Sequence, residues 1–316
     1  MKSRCATGSS ACLAILSLTS FAFGQTARTP EQIALLKFYG AAQNNTFAVG
    51  NGPASVVFDG SSIWVGNFRG RSLTKLRASD GAVLETVPTP EGPGGLVFDG
   101  ANIWTSNPNQ GSVAKFRASD GARLGVFPAG LRPSAVAFDG ANIWVVNTGE
   151  STVTKLRAAD GAKLGTFQTG LGPRGLAFDG ANIWIVNGGS ATVTKLRASD
   201  GAHLGTFPTG LIPVKVAFDG TSVWIVNQGN DSVTKVRASD GLEEGTFAVG
   251  SAPNAIVFDG TSVWISNFND STVIELRVSD GLRLGTFPTG PGPVGLAFDG
   301  ANIWVTNEAQ DTVSKL

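Results

Sequence analysis

From residue 46 onward, short apolar runs alternate with turn residues in one recurring order. One unit shows the pattern. Ala135-Val-Ala-Phe138 is apolar and ends at Asp139-Gly140, and Asn142-Ile-Trp-Val-Val-Asn147 is apolar between two asparagines. Thr148-Gly-Glu-Ser151 is polar, and Thr152-Val-Thr-Lys-Leu-Arg157 alternates. Ala158-Ala-Asp-Gly161 is a second turn, and Lys163-Leu-Gly-Thr-Phe167 is a last short run. β-Branched and aromatic residues fill the runs, while Gly, Pro and Asp bound them, which predicts four strands. Asp-Gly accepts positive φ at little cost and favours a two-residue hairpin.

The stretch that starts at Phe138 starts again at Phe58, Phe98, Phe178, Phe218, Phe258 and Phe298, forty residues apart each time. A fixed period in this range marks a repeat array. Four short antiparallel strands per unit, arranged radially, make a β-propeller blade. The expected fold is therefore all-β, a seven-bladed propeller over 46–316. The last unit stops at Lys315-Leu316, after its third strand, whereas Thr46-Phe-Ala-Val-Gly50 repeats the fourth-strand sequence Thr246-Phe-Ala-Val-Gly250. The N-terminal strand is expected to complete the last blade. Such closure removes the exposed sheet ends of an open solenoid.

The N-terminal segment has a different pattern. A basic start, Met1-Lys-Ser-Arg4, precedes an apolar run from Ala11 to Phe23 and the small residues around Gly24. This reads as a secretory signal over 1–24, cut after Gly24, and the run is too short to span a bilayer as a helix. A secreted or periplasmic location follows, with no membrane span after cleavage. Thr29-Pro-Glu-Gln32 has helix-start spacing, so 25–45 is expected to hold a short helix, about 30–39, and a linker. Both cysteines, Cys5 and Cys12, fall in the signal, leaving no thiol for a disulfide, metal or nucleophile. Net charge is zero, with 24 basic and 24 acidic residues. No broad field favours nucleic acid, and no nucleic-acid partner is expected.

Ile143-Trp-Val-Val-Asn147 followed by Thr152-Val-Thr-Lys-Leu156 resembles the YVTN family of bacterial β-propeller repeats. The resemblance covers 46–316 and, more distantly, extends to streptogramin lyase-like propellers. It implies the fold and leaves function open, because such propellers serve as binding modules, surface modules and enzymes.

The repeats supply an internal control. Positions constant in all units build the blade. Asp139 and its equivalents are expected to hold their own turns, and Trp64 through Trp304 to pack between sheets. Asn67 and Asn147 are expected to satisfy loop backbone. Lys75/Arg77 and its copies are read as a solvated, locally paired surface, with Glu275 marking a tolerant site. Variation concentrates in two turns, one between second and third strands and one leading into the first strand. Strand alternation puts both at one end of the blade, where a rigid scaffold presents binding residues. The candidate site residues on that face are Arg174, Lys215, Asn254, Arg132, Glu91, Phe68, Arg69, Phe268 and Glu308. Phe68 and Phe268 are expected to flank blade seven beside a polar mouth. That mouth suits a polar ligand with an apolar or sugar face, from a small molecule, glycan or protein.

The only histidine, His203, holds a position where other units carry Val83, Arg123, Lys163 and Arg283. Histidine-dependent lyase chemistry, which needs a base near neutral pH, thus has no residue to carry it. Glu91, Glu150 and Glu308 lie on the variable face but in separate blades, without metal-site spacing. The reading is a non-enzymatic binding or scaffold propeller, monomeric and without cofactors. The alternatives are a lyase-like or lactonase-like enzyme using carboxylates at the channel mouth, and a purely structural surface protein.

Overall fold

The computed structural model describes residues 45–316; the expected signal, helix and most of the linker lie outside them. The described residues form seven four-stranded antiparallel sheets. Their only helical element is a 3-10 turn, Gln228–Asn230, and none of their helices is long and apolar enough to cross a membrane. The third blade runs Pro133–Phe138, Asn142–Asn147, Thr152–Arg157 and Lys163–Gln168, each strand paired with the next.

The ring closes as the sequence match implies. Asn45–Ala48 pairs antiparallel with Thr312–Lys315, aligning Phe47 with Val313, and becomes the fourth strand of the seventh blade. Phe47 then lies 5.7 Å from the Trp304 ring, the relation that Phe167 has to Trp144 at 5.5 Å. A residue from the start of the propeller thus fills the core of its last blade.

Each blade is organised by its constant aspartate. Asp139 Oδ1 accepts the backbone N–H groups of Ala141 (2.9 Å) and Asn142 (2.7 Å), and Oδ2 accepts the indole N–H of Trp144 at 2.8 Å. One carboxylate therefore fixes both the hairpin and the orientation of the tryptophan. Burial alone would raise its pKa. The donors from Trp144, Asn142 and the backbone outweigh that and hold it below the ordinary aspartate value. Trp144 itself is fully buried.

The constant lysines correct one expectation. Lys155 is only 7% exposed. Its Nζ lies 5.2 Å from the Trp144 ring centre and donates to the Ala198 carbonyl, in the next blade, at 2.6 Å. Lys75, Lys115, Lys195, Lys235 and Lys315 repeat the arrangement. They are clamps between blades rather than a solvated surface. Lys315 reaches Ala78 O at 2.8 Å and ties the last blade to the first. The arginine of each pair does meet solvent, as Arg157 does beside Asp160 at 3.0 Å. Glu275, the one replacement, faces the seventh blade. Glu275 accepts from Ser262 Oγ at 2.9 Å, within its own blade.

The constant asparagines also differ from expectation. Asn147 is fully buried and donates to the hydroxyls of Thr152 (3.0 Å) and Thr154 (2.9 Å) in the third strand, not to loop backbone. Asn267 is the copy whose Oδ1 accepts a loop N–H, from Gly250 at 3.0 Å.

Candidate functional site

The two variable turns of a blade are hydrogen-bonded to each other. Thr148 N donates to Arg132 O (3.2 Å) and Gly149 N to Leu131 O (3.0 Å). To make this turn the residue before the opening proline takes a left-handed conformation. In six blades it does so: as Gly52, Gly172 and Gly292, but also as Arg132 (φ 51°), Ile212 (φ 51°) and Ala252 (φ 53°) in the third, fifth and sixth. A non-glycine residue in that region is disfavoured by about 1–2 kcal/mol.

The first strands of all seven blades line a narrow central channel of about 160 Å³. Two residues after the opening proline the blades carry Ser55, Gly95, Ala135, Gly175, Lys215, Ala255 and Gly295. Six are small, as a crowded axis requires; the seventh is a lysine. Lys215 lines both the channel and a wider cavity at its mouth, of about 420 Å³. Water reaches part of its surface, so it counts as half-buried. Protein nevertheless surrounds it, and the loss of solvation holds its pKa below the ordinary lysine value. Its ammonium makes no hydrogen bond or ion pair with another described residue.

Arg132, Arg174 and Asn254 line the same mouth cavity, together with Pro108, Ser134, Thr148 and Gln228. Arg174 is exposed, and its side chain lies across Gly188. A Cβ there would come within 2.6 Å of Arg174 Nε and 2.9 Å of its Cδ. Other blades carry Phe68, Pro108, Thr148, Gln228, Phe268 and Glu308 at this loop position. The two departures in blade four, Arg174 and Gly188, are thus linked: the glycine is the seat of the arginine. The Thr148 hydroxyl donates to Pro173 O at 2.7 Å and lies 2.9 Å from Ser134 Oγ, which joins the third blade's loop to the fourth blade's turn.

The remaining expected residues lie elsewhere. Glu91 is buried, and its Oε1 accepts the N–H groups of Asn109 (2.8 Å) and Gln110 (3.3 Å), so it holds a loop. Glu150 accepts from Leu131 N. Glu308 pairs with Arg69 at 2.6 Å on the surface. None of these carboxylates lines the mouth cavity. Phe268 leans on Gly292, at the turn into blade seven, but Phe68 leans on Gly92, at the turn into blade two. The two rings therefore do not flank blade seven as a pair, and neither reaches the mouth. Gly188, Thr148 and Gln228 were the contributors that loop variability alone did not single out. Reading Gly188 against Arg174 in the same blade is the signal that would have found the first of them.

Among the described residues no three His, Cys, Asp or Glu side chains gather as a metal site would need. No family model matches the sequence, and no curated protein does. Solved structures resemble the fold. A streptogramin B lyase has a TM-score of 0.76 at 15% identity, over 87% of this chain and 98% of that one. Virginiamycin B lyase from Staphylococcus aureus has 0.73 at 17%, over 86% and 98%. Kuenenia stuttgartiensis hydrazine synthase has 0.71 at 18%, over 84% and 96%. At these identities the likeness is one of architecture.

Proposed function

We propose that the protein is a binding module that holds a small polar ligand in the mouth of its channel. The observation that carries this reading is a convergence. Variable positions of blades three to six, Arg132, Thr148, Arg174, Lys215 and Asn254 among them, meet at one cavity of about 420 Å³. That size suits a small molecule rather than a polymer. The constant positions are occupied in building blades. The carboxylates that an enzyme at this mouth would use hold loops or pair with Arg69 instead. The signal-like start supports a secreted or periplasmic setting, testable by sequencing the mature N-terminus, which should begin at Gln25.

The test is thermal shift against polar metabolites, using the wild type and the double variant Arg174→Val/Asn254→Ala. Both replacements are residues that other blades carry there, Val214 and Ala54, so the fold tolerates them. A ligand at about 100 times its Kd stabilises by about 2.7 kcal/mol. At least one compound should raise the wild-type melting temperature by several degrees and leave the variant unmoved. Compounds that move both proteins equally, or neither, overturn the reading.

A further inference from the structure

We infer that the ligand of this mouth is a small anion, recognised through a carboxylate or phosphate group by Arg132, Arg174 and Lys215. The inference rests on the binding reading and adds its chemical class.

The chain is electrically neutral overall, so the charge at the mouth is local. Three cationic side chains line the cavity, and no Asp or Glu does. The constant cations of the repeats have partners. Arg77, Arg117, Arg157, Arg197, Arg237 and Arg277 each pair with the aspartate three residues on. The constant lysines donate to carbonyls of the next blade. The side chains of Arg132, Arg174 and Lys215 have no hydrogen-bond or ion-pair partner among the described residues.

Each of the three is also the only charged residue that any blade carries at its repeat position. Arg132 is the one charged residue at a position that is otherwise Gly, Ile212 or Ala252. Arg174 lies across the surface that Gly188 leaves open. Lys215 fills an axis that six blades leave to Ser, Gly or Ala. Three independent departures toward the same charge, in three consecutive blades, meet in one cavity. Guanidinium forks match the paired oxygens of carboxylates and phosphates, while an ammonium acts as a point charge. Lys215, between mouth and channel, forms the floor. Arg174 at the rim is free to close on the outer side of the anion. An anion would also supply the partner that the desolvated ammonium lacks.

The experiment measures binding of citrate, inorganic phosphate and glucose 6-phosphate by calorimetry, with glucose and choline as controls at matched ionic strength. The variants are Lys215→Ala, Arg132→Gly and Arg174→Val, each a residue that other blades carry at that position. Expected are saturable binding of at least one anion, no binding of choline, and a loss of about tenfold or more in affinity for each variant. Melting without ligand should show all three variants folded. Citrate without phosphate marks a carboxylate site; phosphate or glucose 6-phosphate without citrate marks a phosphate site. If none of the three anions binds, or if binding survives in the triple variant, the inference is overturned. Glucose bound in a mouth-dependent way without any anion would overturn the charge class and leave the binding reading standing. If the metabolite screen also yields nothing that depends on the mouth, both fall.

Discussion

The cations at the two ends of the blade differ in what answers their charge. At the constant end, each charged group found by repetition has a partner. Asp139 holds two backbone N–H groups and an indole, and Arg157 meets Asp160. Along the same constant set, Lys155 reaches a carbonyl of the next blade. At the variable end, Arg132, Arg174 and Lys215 share a cavity with no carboxylate to answer them. Repetition solves the structural problem once and copies the answer. Some departures from it hold loops, as Glu91 and Glu150 do, but Arg132, Arg174 and Lys215 hold none and gather in one sector. The comparison makes a general claim: substitutions at the constant set should lower stability and spare binding, while substitutions at the mouth should do the reverse.

The severest break is at closure. Removing residues 1–50 takes away Asn45–Ala48 and with it the fourth strand of the seventh blade. It also strips Phe47 from Trp304 and bares the backbone of Thr312–Lys315. An uncovered edge strand invites pairing with another chain. The truncated protein should lose cooperative melting or assemble into oligomers, measured by calorimetry and light scattering. A monomer with unchanged melting would show that this strand does not hold the ring.

Next in size is the constant aspartate. Asp139→Ala leaves the Trp144 indole and two backbone N–H groups without their acceptor. Each unsatisfied buried donor costs about 1–3 kcal/mol, and the backbone donors regain part of this from water. A loss of about 2–4 kcal/mol is expected from the urea midpoint, with affinity at the mouth unchanged. An affinity change as large as the stability change would dissolve the distinction between the two ends.

Much of this was legible in the chain, for identifiable reasons. The forty-residue period and the match of Thr46–Gly50 to Thr246–Gly250 give the blade number and the closure, because strands and tight turns are local. The constant lysines depart from the solvated surface that the sequence implies, for the converse reason. Alternation in Thr152–Arg157 puts Lys155 and Arg157 on one face, but whether the next blade covers that face is a tertiary fact. It covers Lys155, at 7% exposure, and leaves Arg157 exposed. The mouth divides likewise. Arg132, Arg174, Lys215 and Asn254 sit on or beside first strands, whose direction follows from the propeller. Phe68, Phe268, Glu91 and Glu308 lie in turns and loops whose side chains follow contacts with neighbouring turns, and no periodicity encodes those.

Two lysines bring the comparison to its finest point. Lys155→Met removes a cation held over Trp144 and leaves the Ala198 carbonyl short of a donor. A charge-assisted hydrogen bond and a cation–π contact of this kind contribute about 1–3 kcal/mol together, so the variant should melt lower. Lys215→Met should act in the other direction. The folded protein holds this ammonium in a desolvated place without a partner, which depresses its pKa relative to the unfolded chain. When the folded pKa of a lysine lies below the unfolded one, folding must either desolvate the charge or release a proton. The penalty is present in full below the folded pKa and is relieved as pH rises through it toward the unfolded value. Ligand-free Lys215→Met should therefore be more stable than the wild type at neutral pH, by about 1 kcal/mol if the desolvation is that of an ordinary polar group. The advantage should shrink as the pH approaches the ordinary lysine range. Paired urea titrations from pH 7 to pH 10 would read it. A Lys215→Met protein less stable than the wild type at pH 7 would put Lys215 with Lys155 among the residues that hold the propeller together.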